Sequence, residues 1–329
     1  MNDLLEQDKS IDKNNLYTKI LKSVQVNNGL YVMPVSYYLR AFVGDEDILT
    51  KTNTKIDDTK WTWKQFEEIS RKLLQHSAKD SKGPRYGLAG NPPEIMLNVI
   101  VEDNSTQFID IATRKAKFDS PSFVETMKQI KKMYDEQIMT AKEPEHGKQL
   151  FNDTILFNPI DFIESTHYSF VNPKLMQKPH AEGNSGQITM WTGYQLGLNA
   201  KSTVQKEAWQ FMSFLLSEEA QSLKQFTGFS MLKSVNEKKL NDIQEQLKNG
   251  TYKVPKVPNA GSDTKAAKIP DADFAYIKQL IDNVDRIKGS DEKVWSIIED
   301  ESKSYFSGHK TAEEVAKLIQ NSVNLYLNE

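Results

Sequence analysis

Three aromatic clusters carry the most suggestive chemistry in this chain of 329 residues: Tyr37-Tyr38 after Pro34, Phe157 to Phe162 around Asn158-Pro159-Ile160-Asp161, and Trp191-Thr192-Gly193-Tyr194. Each sits near the end of a predicted strand, where open α/β sheets place their ligands. Aromatic faces beside amide or carboxylate groups suit a polar ligand with apolar ring faces, and a sugar fits that description. The candidate ligand-binding residues are therefore Tyr37, Tyr38, Asn158, Asp161, Phe162, Trp191 and Tyr194. For any one ring the competing role is to fill the core.

Catalytic signatures are missing. The five histidines, His76, His146, His167, His180 and His309, include no pair at the short helical spacing of a zinc site, so no metal is expected. There is no Gly-Xaa-Ser-Xaa-Gly elbow, Walker phosphate loop or Gly-Xaa-Gly-Xaa-Xaa-Gly fingerprint, and no cofactor is expected. Asp45-Glu46-Asp47 follows Gly44 on an expected loop, where water easily keeps three carboxylates apart. Glu299-Asp300-Glu301 behind Trp295 and Ile298 reads as a solvated helix face. A glycan-active enzyme using a carboxylate such as Asp161 is the alternative reading, without positive support from spacing.

Composition narrows the partners. A net charge of -3, from 42 basic and 45 acidic residues spread along the chain, creates no one-signed field to draw in nucleic acid or a membrane surface. The absence of cysteine excludes disulfides, thiolate metal sites and a cysteine nucleophile. No stretch approaches the roughly 20 apolar residues of a membrane span. The opening residues, Met1 to Lys9, lack the charged-then-apolar pattern of a signal peptide.

The elements that must position the aromatics follow from periodicity. A helix from Leu16 to Val26, an Asn27-Asn28-Gly29 turn and a strand Leu30 to Met33 stopped by Pro34 open the chain. Thr62 as N-cap with Gln65 three residues on starts a helix whose Trp63, Phe66, Ile69, Leu73 and Leu74 share a face. After the Gly83-Pro84 break, Tyr86 to Ala89 is a short strand and residues 93 to 101 a helix. Ser120-Pro121 starts another helix with Phe123, Met127, Ile130 and Tyr134 as its stripe. Ile155 to Phe157 and Trp191 to Leu198 read as strands, and Lys206 to Phe226 as one long helix. Lys248 to Pro270 is a polar, proline-broken linker, and helices dominate beyond it, the last opened by a Thr311/Glu314 capping box. Short strands alternating with helices make the class α/β.

Several short motifs then fall in a recognisable order. They are Asp12 to Tyr17 before a helix, Asn28 to Pro34, Trp61 to Phe66, Phe151-Asn152-Asp153 before the strand to Asn158, Gly193 to Ala200, Glu207 to Ser217 with Ala220-Gln221, and the terminal helix from Val323. In these the chain resembles the extracellular solute-binding proteins of family 1, the group that includes maltose-binding protein. The resemblance implies a two-lobed periplasmic-binding-protein-like fold of type II, with ligand held in a cleft that closes by hinge motion. It implies lobe segments at 1–35 with 194–228, and at 36–193 with 229–329. Crossings are expected near Pro34 to Tyr38, Met190 to Tyr194 and Gly228 to Leu232. The implied function is capture of a carbohydrate or oligosaccharide, as a monomer, for ABC transporter permease subunits, outside the cell on a lipid-anchored parent. Two departures stand out. The sugar-facing loop offers Ile160 and Asp161 before Phe162, and the family's signal peptide and first strands and helices have no counterpart before Met1. An incomplete first lobe, and a degenerate paralogue that no longer binds, belong to the expectations on that account.

Overall fold

The computed structural model describes residues 1–77, 85–110, 113–143, 145, 147–183, 188–223, 225–252, 269–287 and 291–329. The Gly83-Pro84 break, His146 and most of the Lys248 to Pro270 linker lie outside the described residues. The chain forms two compact units. One comprises Met1–Val43, Asp153–Gln177 and Gln187–Ile287, the other Gly44–Asn152, Lys178–Gly186 and Lys288–Glu329.

The first unit is built on the strand Ser36–Asp45. Phe229–Ser230 and Ile188–Thr192 flank it antiparallel, Val284–Ile287 extends the sheet parallel to Ile188–Thr192, and Phe151–Leu156 and Pro173–Met176 also pair with Ser36–Asp45. Side chains alternate along a strand, so Tyr37, Leu39, Ala41 and Val43 all reach one core, where Leu16, Ile20, Phe229, Val235 and Ile277 meet them. The sequence reading ended its strand at Pro34 and missed this one. The cause is that both faces are largely covered, which removes the clean polar alternation of a half-exposed strand. Pro34, which has no N–H to donate, instead closes a short strand, Val32–Pro34, paired with Gln195–Gly197.

Buried amides fix the Phe229–Ser230 segment. Gln221 donates to the carbonyls of Val35 (3.0 Å) and Leu215 (2.7 Å) and accepts from Ser230 Oγ (2.6 Å) and Met231 N (3.0 Å). Asn236 accepts from Ser230 N at 2.8 Å and donates to Ser230 O at 2.9 Å. The predicted long helix from Lys206 is two, Gln205–Leu215 and Glu218–Gln221, because Ser217 turns its hydroxyl onto Ala220 N and caps a new start.

The second unit is mainly helical: Trp63–Ser77, Pro93–Val101, Pro121–Asp135, Glu292–Phe306 and Ala312–Asn328. Both expected capping boxes form. Thr62 N donates to Gln65 Oε1 and Gln65 N to Thr62 Oγ1, and Thr311 and Glu314 do the same. The acidic cluster is not a solvated loop. Asp45 ends the long strand, caps the helix Glu46–Lys51 through Asp47 N and Ile48 N, and pairs with buried Arg85 at 3.0 Å. Lys178 and Asp103 form a second buried ion pair in this unit.

The partition differs from the expected lobe segments. Leu156, Phe162, Leu232 and Ile277, all assigned above to the second lobe, share the core of Leu16 and Ile20. The three segments expected to cross between lobes lie side by side in the sheet of the first unit. The reason is the unbroken length of Ser36–Asp45, which keeps both neighbouring strands hydrogen-bonded to it.

Where those strands meet, the packing leaves no room for a side chain. Gly228 has φ +103, and a Cβ there would lie 2.5 Å from Ser36 Cβ. Gly250 has φ +75 but nothing within 4 Å. Gly228→Ala should therefore lower unfolding free energy by about 2 kcal/mol or more, from overpacking and backbone strain together, and Gly250→Ala by about 1 kcal/mol from strain alone. Denaturant unfolding of the two variants checks this, and equal losses would contradict it.

Candidate functional site

Period-two alternation decides which candidates can meet a ligand. Tyr37 sits on the core face, 0% exposed, stacked on Phe229 at 5.5 Å with its hydroxyl accepting from Asn236 at 3.4 Å. Tyr38, one residue on, points to the opposite face. It stands directly across from Trp191, since the register pairs Tyr37 with Thr192, Tyr38 with Trp191 and Leu39 with Met190. Ile188 and Met190 go to the core, which leaves Trp191 on the face of Tyr38.

Three further residues complete this face: Phe157, from an aromatic cluster already noted, and Arg40 and Asp153, which sequence reasoning missed. Phe157 leaves the end of Phe151–Leu156, is 51% exposed and packs edge-on against Tyr38 at 5.3 Å. Arg40, two residues beyond Tyr38, places its guanidinium 5.1 Å from the Trp191 ring centroid. Asp153 meets Arg40 Nε at 3.0 Å. A signal was available: Tyr38, Arg40 and Phe42 occupy alternate positions of one strand, and Asp153 and Ile155 do so on another, with Phe157 next in phase just past its end. The arrangement offers aromatic faces beside a matched charge pair, suited to an uncharged solute with apolar faces and polar edges.

The other candidates have different roles. Phe162 is 2% exposed and packs edge-on against Phe274 at 5.0 Å, so it belongs to the core. Asn158 and Asp161 brace their own loop. Asn158 Oδ1 accepts from Ile160 N at 2.8 Å, and Asp161 accepts from Phe157 N at 2.7 Å and Asn158 Nδ2 at 3.0 Å. Burial raises the Asp161 carboxyl above its ordinary pKa, against the lowering effect of these hydrogen bonds. Tyr194, 69% exposed, lies on the turn after Trp191, where its carbonyl accepts from Val35 N at 2.8 Å.

Elsewhere, the second unit has a groove of about 770 Å³ floored by Ile100, Val101 and Phe108. Charges at its rim are spent on neighbours, Lys132 on Glu67 and Lys128 on Glu313, each at 2.8 Å. Among the described residues no group of three or more histidines and carboxylates stands close enough to hold a metal ion, and no helix is long and apolar enough to cross a membrane.

Comparison with known proteins agrees with this architecture. The family model described as bacterial extracellular solute-binding protein matches residues 2–222. An extracellular solute-binding protein family 1 structure from Alicyclobacillus acidocaldarius aligns with a TM-score of 0.65 at 14% identity, over 99% of this chain and 79% of that one. An ABC substrate-binding protein from Listeria monocytogenes, in complex with cycloalternan, aligns at 0.62 and 14% identity, over 99% and 79%. Maltose-bound MalE3 of T. maritima aligns at 0.60 and 16% identity, over 95% and 77%. The likeness is one of fold.

The helix that the site loop leads into, Asp161–Ser169, carries buried His167, whose pKa burial lowers from 6.5 to about 4. Between those values the unfolded chain holds a proton that the folded chain does not, so stability present above pH 6.5 is lost as pH falls toward 4. His167→Gln should flatten this dependence by up to about 1.4 kcal/mol per pH unit. Buried His180, shifted in the same direction, keeps a residual slope. Urea unfolding at pH 7, 6, 5 and 4 measures both slopes, and identical ones would refute the role of His167.

Proposed function

The chain belongs to the bacterial extracellular solute-binding proteins, and from that premise we propose that it captures a carbohydrate or oligosaccharide for an ABC importer. Tyr38, Phe157 and Trp191 provide the faces on which the sugar lies. The observation that carries this reading is the cross-strand pair Tyr38–Trp191, with Phe157 against Tyr38, on the face of the sheet turned away from the core. Sugar rings present C–H faces that stack on aromatic rings and hydroxyl edges that need polar partners. The relatives solved with cycloalternan and maltose support the same ligand class.

The protein binds without turnover in this proposal. Asp161, the carboxylate that a glycan-active enzyme would use, is engaged in holding its own loop. Its working partners are then the sugar and the permease subunits of the importer. Its place is outside the cell, as a lipid-anchored monomer.

Trp191 gives a direct assay. Of the five tryptophans, Trp61, Trp63, Trp209 and Trp295 are buried, and Trp191 alone is partly exposed. Titration with maltose, maltotriose and cycloalternan should change the fluorescence of the accessible tryptophan without releasing new reducing ends. Trp191→Ala and Phe157→Ala should each weaken binding at least tenfold, about 1.4 kcal/mol. Unchanged affinity in both variants would remove these residues from the site, and hydrolysis of any glycan would replace the receptor reading with an enzymatic one.

A further inference from the structure

Arg40 lies on the same face of its strand as Tyr38 and diagonal to Trp191 across the Tyr38–Trp191 pair, within reach of a long side chain. Its side chain is 12% exposed and that of Asp153 4% exposed, with Nε and Oδ1 3.0 Å apart. Its guanidinium carbon stands over the Trp191 ring at 5.1 Å. A guanidinium can do both things at once because it is planar: one face stacks on an aromatic ring while its edge meets a carboxylate. A lysine ammonium, a point charge on a flexible stem, cannot hold an indole in one plane.

We infer that Arg40, clamped by Asp153, is the positioning residue of Trp191, and that the matched charges set this face for an uncharged ligand. Only the second half rests on the sugar-binding reading. A partly exposed indole with nothing behind it samples several rotamers, and a ligand would have to freeze one of them on binding. Backing one ring face with a stacked guanidinium removes that cost beforehand, and the carboxylate keeps the guanidinium from turning away. The same carboxylate cancels the positive charge that would otherwise draw an anionic solute to the indole. Sequence alone hides the device, since Arg40 and Asp153 are far apart along the chain.

The test reads Trp191 with and without sugar. In ligand-free protein, Arg40→Lys should change acrylamide quenching of the accessible tryptophan about twofold and alter the near-UV circular dichroism, with the far-UV spectrum unchanged. Normalised to the quenching of N-acetyltryptophanamide by each ion, wild-type Trp191 should be quenched equally by iodide and caesium. Asp153→Asn, which leaves the arginine charge unmatched, should favour iodide severalfold. Because a lone buried charge can unfold the unit, the double variant Arg40→Met with Asp153→Leu removes both charges and serves as the folded control; its quenching should match that of Arg40→Lys. Maltose affinity should fall about tenfold in Arg40→Lys. Identical quenching and near-UV spectra in Arg40→Lys and wild type would overturn the positioning role, even if both bind maltose equally well. A quenching change together with no maltose binding by wild type would uphold the positioning role while overturning the sugar reading. A strong iodide preference in wild type would overturn the charge matching.

Discussion

The alternation of side chains along Ser36–Asp45 is the constraint on which the rest of the first unit depends. Four other strands pair with it. One of its faces supplies Tyr37, Leu39, Ala41 and Val43 to the core, and the other carries Tyr38 and Arg40 beside Phe157 and Trp191. These roles cannot be exchanged, because a shift of one residue in register would send Tyr38 and Arg40 into the core and turn Tyr37 and Leu39 out of it. The charge of Arg40 would then be buried among Leu16, Ile20 and Ile277, at a cost the unit could not meet. Core and site therefore enforce the same register from opposite sides of one strand.

Much of the helical architecture was legible in the sequence because its signals are local. Thr62 with Gln65, Thr311 with Glu314, and Ser120-Pro121 each announce a helix start from within four residues, and the helices begin there. Strands were harder to read. Ser36–Asp45 is covered on most of both faces and Val284–Ile287 is a four-residue strand among helices, so neither shows the periodicity of a half-exposed strand. The long helix from Lys206 was misjudged for a different reason. Ser217 competes for backbone groups as a cap, and an apolar stripe running through it hides the break.

The candidate site shows the same division. Aromatic clusters drew attention to strands that lie side by side, yet Tyr37 and Tyr38 are neighbours in sequence with opposite fates, which only the register decides. Asn158 and Asp161 looked like ligand partners by residue type, and their hydrogen-bonding capacity is used on the loop they occupy. Arg40 and Asp153 were passed over because their alternation with Tyr38 and Phe157 on two separate strands does not reveal that those strands are brought together. Residue type narrowed the search to a few strands, and pairing geometry selected among the residues on them.

The buried amides also say something about how this chain can be made. Gln221 bonds to Val35 across 186 residues of sequence, and Asn236 to Tyr37 across 199. Until those amides emerge from a ribosome, residues 1–43 lack the Phe229–Ser230 strand and the core residues from Phe229 onward. At about 5 to 20 residues per second, the opening segment waits roughly 10 to 40 s before it can be closed. Residues 1–43 are thus completed late, and the apolar residues around Leu16 and Ile20 stay incompletely covered throughout that interval.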